Sequence, residues 1–150
     1  MKRIVMSAFF IFAVACAPAP ATPPADISIA LGEEFTLVSG QSAILQDAGL
    51  KVTFKEILSD GRCPLDIECA ESGPVTLAVT LQVGSEAPQE LVFQTFTNDV
   101  GNVPEMEFQG MQTGVEIGDL LLQVRKVMPF PASSAEIKPD EYAVSFLVTK

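Results

Sequence analysis

PVTLAVTLQV, residues 74–83, decides how this chain folds. Val75, Leu77, Val79, Leu81 and Val83 fall on one face of an extended segment; Thr76, Ala78, Thr80 and Gln82 fall on the other. Successive strand side chains point to opposite faces, so strict alternation over this length predicts a half-buried β-strand. LKVTFKEIL, residues 50–58, repeats the pattern with Leu50, Val52 and Phe54 inward and Lys51, Thr53 and Lys55 outward. Ile57 then falls out of phase, which predicts a bulge.

Further strands are expected at Glu34–Val38, Gln41–Leu45, Glu90–Phe96, Gly114–Ile117, Leu120–Val127 and Tyr142–Thr149. Turn-forming residues separate them, among them Ser39-Gly40, Asp60-Gly61, Gly84-Ser85 and Pro129–Pro131. No long segment has a helical period, and Gln46–Lys55 reads as a turn followed by a strand. Short strands at this spacing predict an all-β domain, a single sandwich or partly open barrel of about seven to nine antiparallel strands. The stretch 97–113, TNDVGNVPEMEFQGMQT, is less patterned. A loop of that length is uncommon unless it is functional or hides a short strand, here the alternating EMEFQ.

The N-terminus reads as an export signal. Lys2 and Arg3 precede an apolar run from Ile4 to Ala15, and small residues lead into Cys16. The run is too short to span a bilayer core of ~30 Å, and the order of its parts is the secretory one. FAVACA resembles a bacterial lipobox, which implies cleavage before Cys16 and lipidation of that cysteine. Residues 1–15 are then the signal peptide. Residues 16–27 carry the lipidated Cys16 and a Pro/Ala-rich spacer, extended at about 3 Å per residue. Residues 28–150 form the folded domain. The mature chain would be membrane-anchored and face the periplasm or the cell exterior.

Between the two clearest strands lies DGRCPLDIEC, residues 60–69. Cys63 and Cys69 are the only cysteines of the folded part, and an even count in an exported module favours a disulfide. Closing so small a loop is worth about 2 kcal/mol in chain entropy, a local clamp between strands. Pro64 biases Cys63 toward extended geometry. Two cysteines without any histidine are too few for a structural zinc site, and C-x5-C is not the C-x-x-C of a redox centre. Asp60, Asp66, Glu68 and Glu71 raise the question of calcium, but their spacing matches no EF-hand loop and Arg62 sits among them. A solvated acidic loop with Arg62 paired to one carboxylate is the expected arrangement. Neither metal nor cofactor is expected. Asp60, Arg62, Asp66 and Glu71 are therefore candidates for ordering the loop or for meeting a partner.

The residues Phe54, Leu58, Asp60, Arg62, Cys63, Pro64, Asp66, Ile67, Cys69 and Gly73 resemble a family of small bacterial lipoproteins and secreted proteins with a D-x-R-C-P-x-D-x-x-C motif. The flanks LVSGQSAIL and VRKVMPFPASSAEIKPDEYAVSFLV are similar too, so the resemblance covers most of residues 35–149. Gly61 stands where that pattern carries Ser, and Glu71 where it carries Trp. The resemblance implies a surface or secreted β-module and supplies no activity.

All nineteen acidic residues lie beyond the leader, and removing Lys2 and Arg3 leaves seven basic ones, a net charge of about −12. This disfavours nucleic acid, which needs a basic footprint. Without histidine, Ser-His and Cys-His catalysis are excluded. Glu105 and Glu107 form one carboxylate pair, of a kind common on solvated faces. Tyr142, the lone tyrosine, reads as a packing residue with an exposed hydroxyl. The sequence thus points to a non-enzymatic, lipid-anchored module that binds an envelope protein or glycan. The alternatives are an inhibitor of an envelope hydrolase and, behind it, a carboxylate-dependent glycan hydrolase.

Overall fold

The computed structural model describes residues 24–105 and 109–150. The leader, Cys16 and most of the spacer lie outside them, as do Met106 to Phe108 in the middle of EMEFQ, with Glu107 among them. The strands are β1 (Ile27–Ser28), β2 (Glu34–Val38), β3 (Ser42–Leu45), β4 (Leu50–Asp60), β5 (Val75–Val83), β6 (Gln89–Thr95), β7 (Gly114–Ile117), β8 (Leu120–Met128) and β9 (Ala143–Thr149). They form two sheets, one in the order β1-β3-β4-β5-β6 and one in the order β2-β9-β8-β7. The domain is an all-β sandwich and not a closed barrel. No helix among the described residues is long and apolar enough to cross a membrane.

The inward faces meet in one core. Leu50, Val52 and Phe54 of β4, Val75, Leu77 and Val79 of β5 and Phe93 of β6 are buried from the first sheet. Leu37 of β2, Leu122 and Val124 of β8 and Val144, Phe146 and Val148 of β9 are buried from the second. Phe35 and Phe146 stack with ring centroids 5.9 Å apart. Each fully buried aliphatic or aromatic side chain contributes roughly 1.5–3 kcal/mol, so the alternating strands carry most of the stability.

β5 pairs with β4 on one side and β6 on the other. Its inward set is buried from Val75 to Leu81. Two expectations fail at particular places. Val83, placed inward by phase, sits at the strand end and is exposed, and Ala78, placed outward, is buried. The out-of-phase Ile57 is explained by two register shifts, between Phe54 and Glu56 and between Ile57 and Ser59. They turn the end of β4 and leave Leu58 exposed. The strands are also not all antiparallel. β1 runs parallel to β3, pairing Ile27 with Ala43 and Ser28 with Ile44, so the ordered domain starts inside the stretch read as spacer.

Candidate functional site

The chain leaves β4 at Asp60 and returns at β5, and the intervening 61–74 segment contains the cysteine motif. Its base is narrow. Gly73 donates its N–H to the carbonyl of Gly61 at 2.7 Å, and Gly61 donates to the carbonyl of Pro74 at 3.0 Å. A Cβ on Gly73 would lie 2.9 Å from the Gly61 oxygen, and one on Gly61 would lie 3.1 Å from the Pro74 oxygen. Glycine at both places lets the two backbones touch, closer than a side chain would permit without a shift.

Arg62 leaves this neck and goes inward, where it is only 4% exposed. Its Nε donates to Asp60 Oδ1 at 2.8 Å and its Nη2 to Asp60 Oδ2 at 2.5 Å, a two-pronged ion pair. Nη1 donates to the carbonyl of Val127 at 2.9 Å and Nη2 to that of Pro129 at 2.8 Å. The guanidinium carbon lies 4.8 Å from the centre of the Phe130 ring. Arginine suits this place because its planar fork satisfies a carboxylate and two carbonyls at once.

Asp60 is equally occupied. Besides the two side-chain bonds it accepts the backbone N–H of Arg62 at 3.1 Å, an Asx turn, and the Tyr142 hydroxyl at 3.1 Å. Burial opposes its ionisation, but the hydrogen bonds and charge of Arg62, joined by the Arg62 backbone and Tyr142, outweigh it and hold the carboxyl below its ordinary value. Tyr142 moves the other way. Burial, then the charge of Asp60 and the bond to it, push the phenol up to about 12. The exposed hydroxyl expected for Tyr142 is therefore corrected: the side chain is 7% exposed, and its oxygen is committed to Asp60.

The tip of the segment is held separately. Cys63 and Cys69 are disulfide-bonded, with Cα atoms 5.9 Å apart. The Pro64 carbonyl accepts the Ile67 N–H at 3.4 Å, which makes the tip a turn. Asp66 bends toward the 129–133 segment, where Oδ1 accepts the Ser133 N–H at 2.8 Å and Oδ2 the Ser133 hydroxyl. These bonds hold its carboxyl below the usual range. The N–H of Leu65 reaches the carbonyl of Pro131 at 3.4 Å, and that of Cys63 reaches the hydroxyl of Ser72 at 3.1 Å. Leu65, Ile67, Glu68 and Glu71 stand exposed.

The structure thus separates the four charged candidates. Asp60 and Arg62 form one buried unit, Asp66 docks the tip, and Glu71 joins neither. No local pattern marks the partners in 127–133 or the role of Tyr142. Their only sequence signals were a phenylalanine between two prolines and a lone tyrosine following an acidic turn. Among the described residues no three carboxylates or cysteines converge as metal ligands do.

Two hollows bear on the candidate regions. A cleft of about 360 Å3 opens above Asp60 and Tyr142, with Ile57, Pro131, Ile137 and Pro139 in its walls. Another, of about 630 Å3, is lined by residues 109–114, Glu116, Leu121 and Gln123. None of its described lining comes from 60–73, so this part of the 97–113 region forms a hollow apart from the cysteine loop. Comparison with protein-family models, curated proteins and solved structures returned no match.

Proposed function

We propose that the chain is a lipid-anchored, non-enzymatic module of the cell envelope that binds another envelope protein through the outer side of its stapled loop. The supporting observation is the division of labour in residues 60–73. Asp60, Arg62 and Asp66 are used up inside the molecule, while two aliphatic and two acidic side chains at the tip face solvent. A tip held by a disulfide, a turn and a docked aspartate loses little freedom on binding, which is where preorganisation lowers the cost of association.

The same groups speak against catalysis at Asp60. Its carboxyl is held ionised by four donors and Tyr142 holds its proton to high pH, so neither is tuned to exchange a proton near neutrality. The role of Cys16 as the lipidated residue, and with it the membrane anchor, is tested by mass spectrometry of the mature N-terminus. A start carrying acyl groups at Cys16 supports the anchor, and an unmodified start beyond it removes the anchor.

Binding is tested by retention of envelope proteins on immobilised residues 17–150, with Asp66→Ala to release the tip. A partner held equally by both proteins would refute the loop as the contact. An inhibitor of an envelope hydrolase remains the second reading, favoured by an exposed tip that a disulfide and a docked aspartate hold fixed. Inhibition of lysozymes or proteases by residues 17–150 distinguishes it.

A further inference from the structure

We propose that Leu65 and Ile67 are the two anchors of a protein-docking surface, and that the partner offers an apolar pocket rimmed by lysine or arginine. This rests on the binding role proposed above and names the chemistry of the partner. Leu65 is 63% exposed, the most of any large apolar side chain among the described residues, and Ile67 is 48% exposed. They flank Asp66, which is turned onto Ser133. One docked residue therefore presents two neighbours outward. The backbone beneath them is fixed by the Cys63–Cys69 bond, the Pro64–Ile67 turn and the Leu65–Pro131 hydrogen bond.

An isolated exposed leucine needs no explanation. Two exposed aliphatic side chains on either side of a docked residue, on a loop anchored at both ends, differ, because burying rigid aliphatic groups in a partner incurs little ordering cost. Affinity in protein interfaces concentrates in a few such central residues. Charge identifies the rim. Glu68 and Glu71 are exposed beside the anchors, and the one basic residue of the segment, Arg62, is buried against Asp60. The surface around the anchors is thus acidic, and a basic rim completes it and speeds encounter. The same charge opposes the other occupants. An anionic lipid surface would be repelled, and a second copy would bring acidic tip against acidic tip.

The test uses the full-length protein in its own cells, with Leu65 or Ile67 replaced by photoreactive benzoyl-phenylalanine. Val92 and Val100, exposed elsewhere, are replaced likewise as controls. The expected result is one discrete protein adduct from positions 65 and 67 and none from 92 and 100. The captured protein, purified, should bind Leu65→Ala roughly tenfold or more weakly than wild type. Glu68→Lys with Glu71→Lys should slow association and flatten its salt dependence. Adducts to lipid alone, to a second copy alone, or an unchanged Kd for Leu65→Ala would overturn the proposal. Adducts only from positions 92 or 100 overturn the anchors while leaving the binding role standing. No adduct at any position, with nothing retained by the immobilised module, overturns both.

Discussion

Asp60 accepts four hydrogen bonds, enough to fill both of its oxygens, and three of them come from Arg62. Removing either charge leaves the other buried, which costs more than the pair itself contributes. Arg62→Ala is expected to destabilise the domain by about 3–5 kcal/mol, and Arg62→Lys by less, since lysine keeps the charge but cannot fork. A chemical-denaturation series checks this. If Asp60→Asn with Arg62→Ala costs as much as the two single changes summed, the two residues are not coupled. Tyr142 gives a cleaner reading, because the chain has one tyrosine and no tryptophan. Its folded pKa is raised, so the stability linked to it is complete below pH 10 and is lost as pH climbs toward about 12. Tyrosinate absorbance should rise at about 12 in the folded protein and near 10 in urea. The melting temperature of Tyr142→Phe should stay flat across that interval while that of wild type falls. A folded protein whose tyrosine titrates near 10 would show that the Asp60 contact is absent in solution. Acid acts through Asp60 in the opposite direction: with its folded pKa lowered, its contribution is present above about 3.9 and fades as pH falls through the lower folded value.

The 61–74 segment behaves as an element in its own right, with a glycine neck, a buried arginine and a stapled tip. The staple closes a short ring, so Cys63→Ser should cost about 2 kcal/mol and lower the melting temperature as much as reduction of wild type does. A variant that melts like oxidised wild type would mean that the staple adds nothing. Gly73→Ala is predicted to cost more than an exposed substitution ordinarily does, because its Cβ would meet the Gly61 carbonyl oxygen at 2.9 Å. Much of this element was legible in the sequence. The Cys63–Cys69 disulfide and an Arg62–carboxylate pair both followed from residues within a few positions of one another. The partners that fix the element were not legible. Val127, Pro129 and Ser133 lie 65 to 67 residues from the groups they bond, and Tyr142 lies 82 away. No local period encodes such pairings; they arise when β8 and the turn after it are packed beside the neck. The strands were legible for the converse reason. Alternation is a local signal, and it failed where tertiary position overrode it: at Ala78, buried on the outward face, at Val83 on the strand end, and at the bulged end of β4.

At the scale of the whole molecule the chain enters through a stitch. Ala25 accepts a hydrogen bond from Gln41 at 3.0 Å, β1 covers the edge of β3, Ile29 donates to Ile44 at 3.0 Å, and Gly32 then donates to Val148 of the opposite sheet at 2.8 Å. The segment joining spacer to sandwich is thus tied to both layers, and Ile27 and Ile29 pack against the core. Parallel pairing over two residues has no periodicity to reveal it, so by sequence the spacer runs through residue 27. The Asp26–Lys51 ion pair beside it, 2.9 Å long with both side chains about 40% exposed, is a minor part. Exposed pairs are screened by solvent and contribute little, so Lys51→Ala should barely move the melting temperature. The backbone and the isoleucines matter more. A module begun at Glu33 loses both isoleucines and bares the N–H and C=O groups of β3 along the sheet edge. It should be about 2–3 kcal/mol less stable by the apolar area uncovered and should self-associate as concentration rises, because an open edge is a template for pairing. A module begun at Pro24 keeps the stitch and should stay monomeric at the same concentrations. Light scattering and thermal melts of the two modules decide the matter: equal melting temperatures and equal masses would mean that β1 is ornamental and that the sandwich ends at β3.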